Sequence, residues 1–164
     1  MKFINQTLEK HDNYKIILFP HAYQDIGTIG ILLNKIEDKY KRERIEVAPL
    51  FSEAQSFGQI FDLYRICDCV IGMRFHTNVC CIGMNIPTIG LAGHEQISGL
   101  YNELGLLDRC IKLDNIHFVS ELTNKLNITM KYKDKINEDY KKINKIFNKN
   151  TNQYLLEVKK WLDN

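Results

Sequence analysis

The sequence predicts an α/β fold, a single doubly wound parallel sheet of about five strands with flanking helices and a long C-terminal helix. Two observations predict it. Short runs that are apolar throughout, such as KIILF at 15–19 and CVIG at 69–72, suit strands covered on both faces. Between them lie stretches whose apolar residues recur every three or four positions, the period of a helix that packs along one side. The two patterns alternate about five times. A chain of 164 residues, 45% of them hydrophobic, can bury the core such a sheet needs. We read residues 1–164 as one domain, with its core over about 14–127 and a C-terminal helical segment over 128–164.

Lys15 to Phe19 opens the sheet, and Ile26 to Tyr40 follows as a helix with Ile29, Leu32, Leu33 and Ile36 on one face. Gly27 and Gly30 form a G-x-x-G without the rest of a dinucleotide fingerprint and read as helix packing. Ile45 to Ala48 is a weaker strand, and Ser56 to Cys67 returns to the helical period with Ile60, Leu63 and Tyr64. Cys69 to Gly72, Pro87 to Leu91 and Cys110 to Leu113 complete the strands. Helices are expected at Thr77 to Met84, His94 to Leu104 and Ile116 to Leu126. Beyond Asn127 the composition turns to Lys, Asn and Tyr. There Ile136, Tyr140, Ile143 and Phe147 recur at spacings of four, three and four, as in one long amphipathic helix or two in series.

Composition excludes several function classes. A net charge of +2, with 9 Gly and 3 Pro, argues against a disordered tail, a collagenous repeat or a strongly electrostatic nucleic-acid binder. The lysines between Lys131 and Lys149 alternate with Asp134, Glu138 and Asp139, as on a solvated helix face. Five cysteines, an odd number with no C-x-x-C pair, read as reduced thiols. Cys67, Cys69, Cys80 and Cys81, even with His76 nearby, lack the spacing of a zinc site, and no metal is expected. No basic, then apolar leader follows Met1, and the uncharged stretch Thr77 to Gly93 is broken by Asn78, Asn85 and Pro87. The expectation is a soluble, cytoplasmic protein with no membrane span.

The informative stretch is Leu63 to Leu106, LYRICDCVIGMRFHTNVCCIGMNIPTIGLAGHEQISGLYNELGL. An apolar strand ends in Gly72-Met73-Arg74-x-His76. A small-residue helix, a Pro-led strand, a polar loop and a helix closing in Leu-Gly-Leu follow. In order and spacing this resembles the hallmark region of the polysaccharide pyruvyltransferases. Pro20-His21 and the residues from Ser56 onward are compatible with that family, and nothing after about Leu113 is specific to it.

The resemblance implies one Rossmann-like half of a two-domain, glycosyltransferase-B-like architecture, the C-terminal, donor-binding half. The first half would be missing from these residues or supplied by a second subunit. It further implies transfer of a pyruvyl group from phosphoenolpyruvate to a sugar of a surface polysaccharide, in exopolysaccharide and cell-envelope biosynthesis, with no cofactor. His76 would contact the donor as general acid or phosphate ligand.

The residue types suit that chemistry. Ligands of open parallel sheets bind outside the carboxyl ends of the strands, where Arg74 and His76 fall. A helix beginning near Thr77 offers N–H groups and a positive dipole end to an anion beside Arg74. A guanidinium binds carboxylate or phosphate through paired bonds, and imidazole exchanges a proton near neutrality. His21, after the first strand, and Asp25, opening the next helix, are a cleft contact and its neighbour, or a loop residue and a cap. His94 is an anion ligand or a helix cap, and family members carry a lysine where Gln96 stands. Two other readings stay open. One is the nucleotide-sugar half of a glycosyltransferase or epimerase, with Asp108 or Asp114 for ribose hydroxyls, and the other is a non-catalytic module of the same fold.

Overall fold

The computed structural model describes residues 2–51 and 57–163. Ser56, where the second helix was expected to begin, lies outside them. The elements run α1 (Lys2–Lys10), β1 (Ile16–Leu18), α2 (Tyr23–Asn34), α3 (Asp38–Lys41), β2 (Ile45–Val47), α4 (Phe57–Arg65), β3 (Val70–Gly72) and α5 (Phe75–Gly83). They continue with β4 (Thr88–Ala92), α6 (Glu95–Glu103), a 3-10 turn (Leu107–Arg109), β5 (Cys110–Lys112), α7 (Phe118–Lys131) and α8 (Lys133–Leu162). Each expected strand is present, displaced or trimmed by a residue or so, and the C-terminal segment ends in one long helix.

The expected single sheet of about five strands is not what forms. All pairings are parallel, but β1 pairs with β2 in one sheet, and β3, β4 and β5 pair in that order in another. An apolar run states that a segment is a strand; it does not state its partner, which is set by pairing at a distance. The chain divides into two compact units, one of residues 1–63 with 119–124, the other of 64–118 with 125–164.

In the first unit Leu8, Ile36, Tyr40 and Ile45 form the core. The sequence pattern did not single out α1, which supplies buried Leu8. Arg44 holds its end: the guanidinium donates to Leu8 O (2.7 Å), to His11 O and, through Nε, to Tyr14 O (2.8 Å). Carbonyls left over at a helix C-terminus thus receive a cation. The expected helix Ile26 to Tyr40 breaks in two. Lys35 and Ile36 turn back onto Leu32 O and Leu33 O, and this turn places Ile36 in the core, 3% exposed, before Glu37 adopts extended backbone.

In the second unit β4 is central, in register with β3 (Ile71 opposite Ile89) and β5 (Leu91 opposite Ile111). Helices α5 and α6 are the crossovers between these strands. Ile82, Ile97, Tyr101, Leu106, Ile136 and Tyr140 make the core. Gly90 is needed at the sheet's centre, because a Cβ there would stand 2.3 Å from the ring of Tyr101, itself wholly buried.

Both crossover helices end in the same way. At α5, Ile86 N–H bonds Cys81 O (2.8 Å) and Asn85 N–H bonds Ile82 O, with Asn85 left-handed at φ 61°. At α6, Leu106 N–H bonds Tyr101 O (2.7 Å) and Gly105 N–H bonds Asn102 O, with Gly105 at φ 67°. These are Schellman ends, each followed by a buried apolar residue, Ile86 or Leu106. Helix α8 adds a side-chain cap to the first. Asn144 Nδ2 donates to Ile82 O (2.9 Å) and to Asn85 Oδ1 (2.9 Å). No helix among the described residues is long and apolar enough to cross a membrane.

Candidate anion site at the carboxyl edge of the second sheet

Because β3, β4 and β5 are parallel, the turns that follow β3 and β4 open on the same edge of the sheet. After β3 come Met73 and Arg74, then α5. The helix begins at Phe75, two residues earlier than expected, so Arg74 is its N-cap residue, in extended backbone, and His76 lies in its first turn. The first intrahelical bond is Asn78 N–H to Arg74 O (3.3 Å), so α5 opens with the N–H groups of Phe75 and His76 ahead of it. Its first turn carries no acidic residue. Met73, Arg74 and His76 are exposed, and the Phe75 and His76 rings meet edge-on at 5.9 Å. Arg74 and His76 thus share a helix start that favours an anion.

What holds this turn is a residue the sequence reading passed over. Asn78, fully buried, donates from Nδ2 to Gly72 O (3.1 Å) and Arg74 O (2.8 Å) and accepts from Tyr101 OH (2.8 Å). Its amide ties the end of β3, the arginine's own carbonyl and α6 together. A Cβ on Gly72 would lie 2.9 Å from that amide, which is why the strand ends in glycine. The available signal was a polar residue four positions after the arginine, directly ahead of the apolar run Val79 to Ile82. Thr77 is buried as well, its hydroxyl 3.4 Å from Tyr64 OH. Burial pushes the Tyr64 phenol up to about 12.

After β4, His94 is the N-cap of α6, and its Nδ1 accepts from Gln96 N–H at 3.3 Å. Beside it opens a depression of about 710 Å³ lined by His94, Glu95, Ser98, Asn102, Lys112 and Asp114, among others. Two carboxylates to one lysine make it mixed in charge. Asp114 of the two acids considered for a nucleotide sits there; Asp108 instead lies beside Arg109, 3.9 Å away. His21 belongs to the first unit, after β1. There Asp25 reaches back to accept from His21 N–H (2.8 Å) and Ala22 N–H (3.0 Å), so Asp25 fixes the loop from inside the helix, and Ala22, not Asp25, is the N-cap residue.

The thiols cluster near α5 and β3. None of the five cysteines is in a disulfide, and burial raises Cys67 and Cys80 and pushes Cys69 and Cys81 up to about 12. Among the described residues no group of three or more His, Cys, Asp or Glu is arranged to hold a metal ion.

The family model described as polysaccharide pyruvyl transferase matches residues 2–95. The match lies in the N-terminal part of this chain, not in its C-terminal half. It includes Gly72-Met73-Arg74-x-His76 and ends at Glu95, so residues 96–106 of the resembling stretch fall outside it while α1 to α4 fall within. No curated protein and no solved structure matches.

Proposed function

Since the chain belongs to the polysaccharide pyruvyl transferase family, we propose that it binds phosphoenolpyruvate as the donor half, the C-terminal half, of a pyruvyltransferase acting on a surface polysaccharide. One observation carries the reading. Within the matched residues, Arg74 and His76 stand exposed together at the start of α5, at a strand's carboxyl end, with no acid in that helix turn.

Phosphoenolpyruvate presents a carboxylate and a phosphate to such a site. The Arg74 guanidinium takes one of them through two parallel bonds, and the helix start adds N–H groups and its dipole. In the reaction two sugar hydroxyl oxygens bond to C2 of the enol, the methylene gains a proton to become methyl, and the bond from C2 to the phosphate oxygen breaks. One hydroxyl proton balances the new methyl and the other leaves with phosphate. His76 is the residue that moves a proton or holds the departing phosphate. Thr77 supports the same turn, and His94, at the same sheet edge, is a second contact for the anion. The acceptor sugar and the rest of the cleft come from a partner half or a second subunit. Five cysteines outside disulfides support a reducing, cytoplasmic setting.

Calorimetric titration of the chain with phosphoenolpyruvate, beside UDP and CMP, tests this. Binding of phosphoenolpyruvate that disappears in Arg74→Ala and in His76→Ala is the expected result. Nucleotide binding without any phosphoenolpyruvate signal would overturn it.

A further inference from the structure

The depression beside α6 lies one strand further along the sheet than the Arg74 turn, between the ends of β4 and β5. Its volume of about 710 Å³ is that of a small-ligand site. Leu107 and Leu113 stand on its wall 52% and 41% exposed, and Leu113 packs against Gly93, where a Cβ would meet its Cδ1 at 2.8 Å. Around them, the side chains of Glu95, Asn102, Lys112 and Asp114 make no hydrogen bond or ion pair with any other described residue.

Helix α6 adds a second observation. Gly99 is the fifth of its nine residues, in the interior, where glycine costs helix stability relative to alanine. A Cβ there would meet nothing within 4 Å, and the backbone is ordinary right-handed helix, so neither packing nor conformation calls for glycine. What the missing side chain leaves is open floor in the depression that Gly99 lines.

From this we infer that the depression holds one neutral sugar ring. Each sugar hydroxyl both donates and accepts, and the wall supplies both partners: Glu95 and Asp114 accept, Lys112 donates and Asn102 does either. Ser98 Oγ, which donates to Glu95 O (3.0 Å), keeps its lone pairs for a further hydroxyl. The C–H face of the ring covers the two leucines. Other occupants suit this wall less well. An anion meets two carboxylates against one lysine, with Glu95 in the first turn of α6. A nucleobase stacks on aromatic side chains, and the wall has no ring beyond the His94 imidazole. A metal ion finds no group of three ligands among the described residues. The source of the sugar rests on the proposed function: a chain that modifies a polysaccharide beside Arg74 also meets units of that glycan that do not react, and the depression holds one of those.

Saturation-transfer NMR of the full chain is the test, with methyl glucoside, methyl galactoside and methyl N-acetylglucosaminide as neutral probes beside glucuronate and alanine. Transfer to at least one neutral glycoside is expected. It should be lost in Gly99→Leu, whose side chain fills the floor, and in Asp114→Ala, while Arg74→Ala retains it. Gly99→Leu should melt no lower than the native chain by circular dichroism, because leucine is the better helix former and has room, so its loss of binding is not a loss of fold. Silence from all three glycosides would overturn the inference. So would transfer that survives Gly99→Leu and Asp114→Ala, transfer that vanishes in Arg74→Ala, or a preference for glucuronate or alanine. Phosphoenolpyruvate titrated separately keeps the two readings apart: glycoside binding without it leaves this site standing and removes the donor site, and the reverse pattern removes this one alone.

Discussion

At the scale of single residues, Arg74 and Asn78 divide the work of the candidate site. The arginine faces out, and the asparagine beneath it holds the backbone that aims it. Arg74→Lys keeps the charge but loses the planar fork, so phosphoenolpyruvate affinity should fall about tenfold, or ~1.4 kcal/mol, by calorimetry. Asn78→Ala removes the side-chain donor to Gly72 O and Arg74 O and the acceptor of the Tyr101 hydroxyl. Stability should drop by about 2–3 kcal/mol in urea unfolding, and any donor binding should weaken with it, although Asn78 touches solvent nowhere. Arg74 and His76 were legible in the sequence because charged and polar residues closing an apolar strand stand out. Asn78 was not, since its role depends on Tyr101, distant in sequence and brought near by the crossover. Among the histidines, His94 caps its helix through Nδ1.

At the scale of elements, strands and helices followed from local patterning nearly throughout, while their ends depended on backbone chemistry that patterning does not weigh. The start of α5 is one example, where extended backbone at Arg74 fixes the cap. The break after α2 is another, since the long-range burial of Ile36 outweighs the continuing helical period. Helix ends carry their own prediction. Asn85 adopts left-handed backbone and also receives the Asn144 amide, so Asn85→Ala should cost about 2 kcal/mol. Asn85→Gly keeps the conformation and loses only the bond, for about half that cost in the same urea assay. A reversed order of the two variants would show that the left-handed turn carries no strain.

For the whole molecule, the pairing of strands into two parallel sheets rather than one was beyond the reach of the sequence. Every strand is short and apolar, and nothing in five similar runs says which belongs beside which. The buried acids of the second unit give the molecule a pH signature. Cys69 and Cys81 are moved from 9.0 to about 12 and Tyr64 from 10.0 to about 12, all by burial. Between those limits the unfolded chain gives up protons that the folded chain keeps, so stability is complete below about pH 9 and declines toward pH 12. Thermal scans should show a level melting temperature up to that point and a falling one above it. Cys81→Ala should flatten part of the decline, at the cost of a small cavity.

The first unit is not continuous along the chain: residues 1–63 are joined by 119–124, with most of the second unit's sequence between. On a ribosome, which releases the chain from its N-terminus, the sheet that is made first therefore has to wait for a later segment before its unit is complete. β1 and β2 emerge early, but their unit gains its last six residues only after β3, β4 and β5 have been synthesised. Nascent chains halted before residue 119 should resist protease less over residues 1–63 than chains released after it, which makes synthesis order a built-in property of this fold.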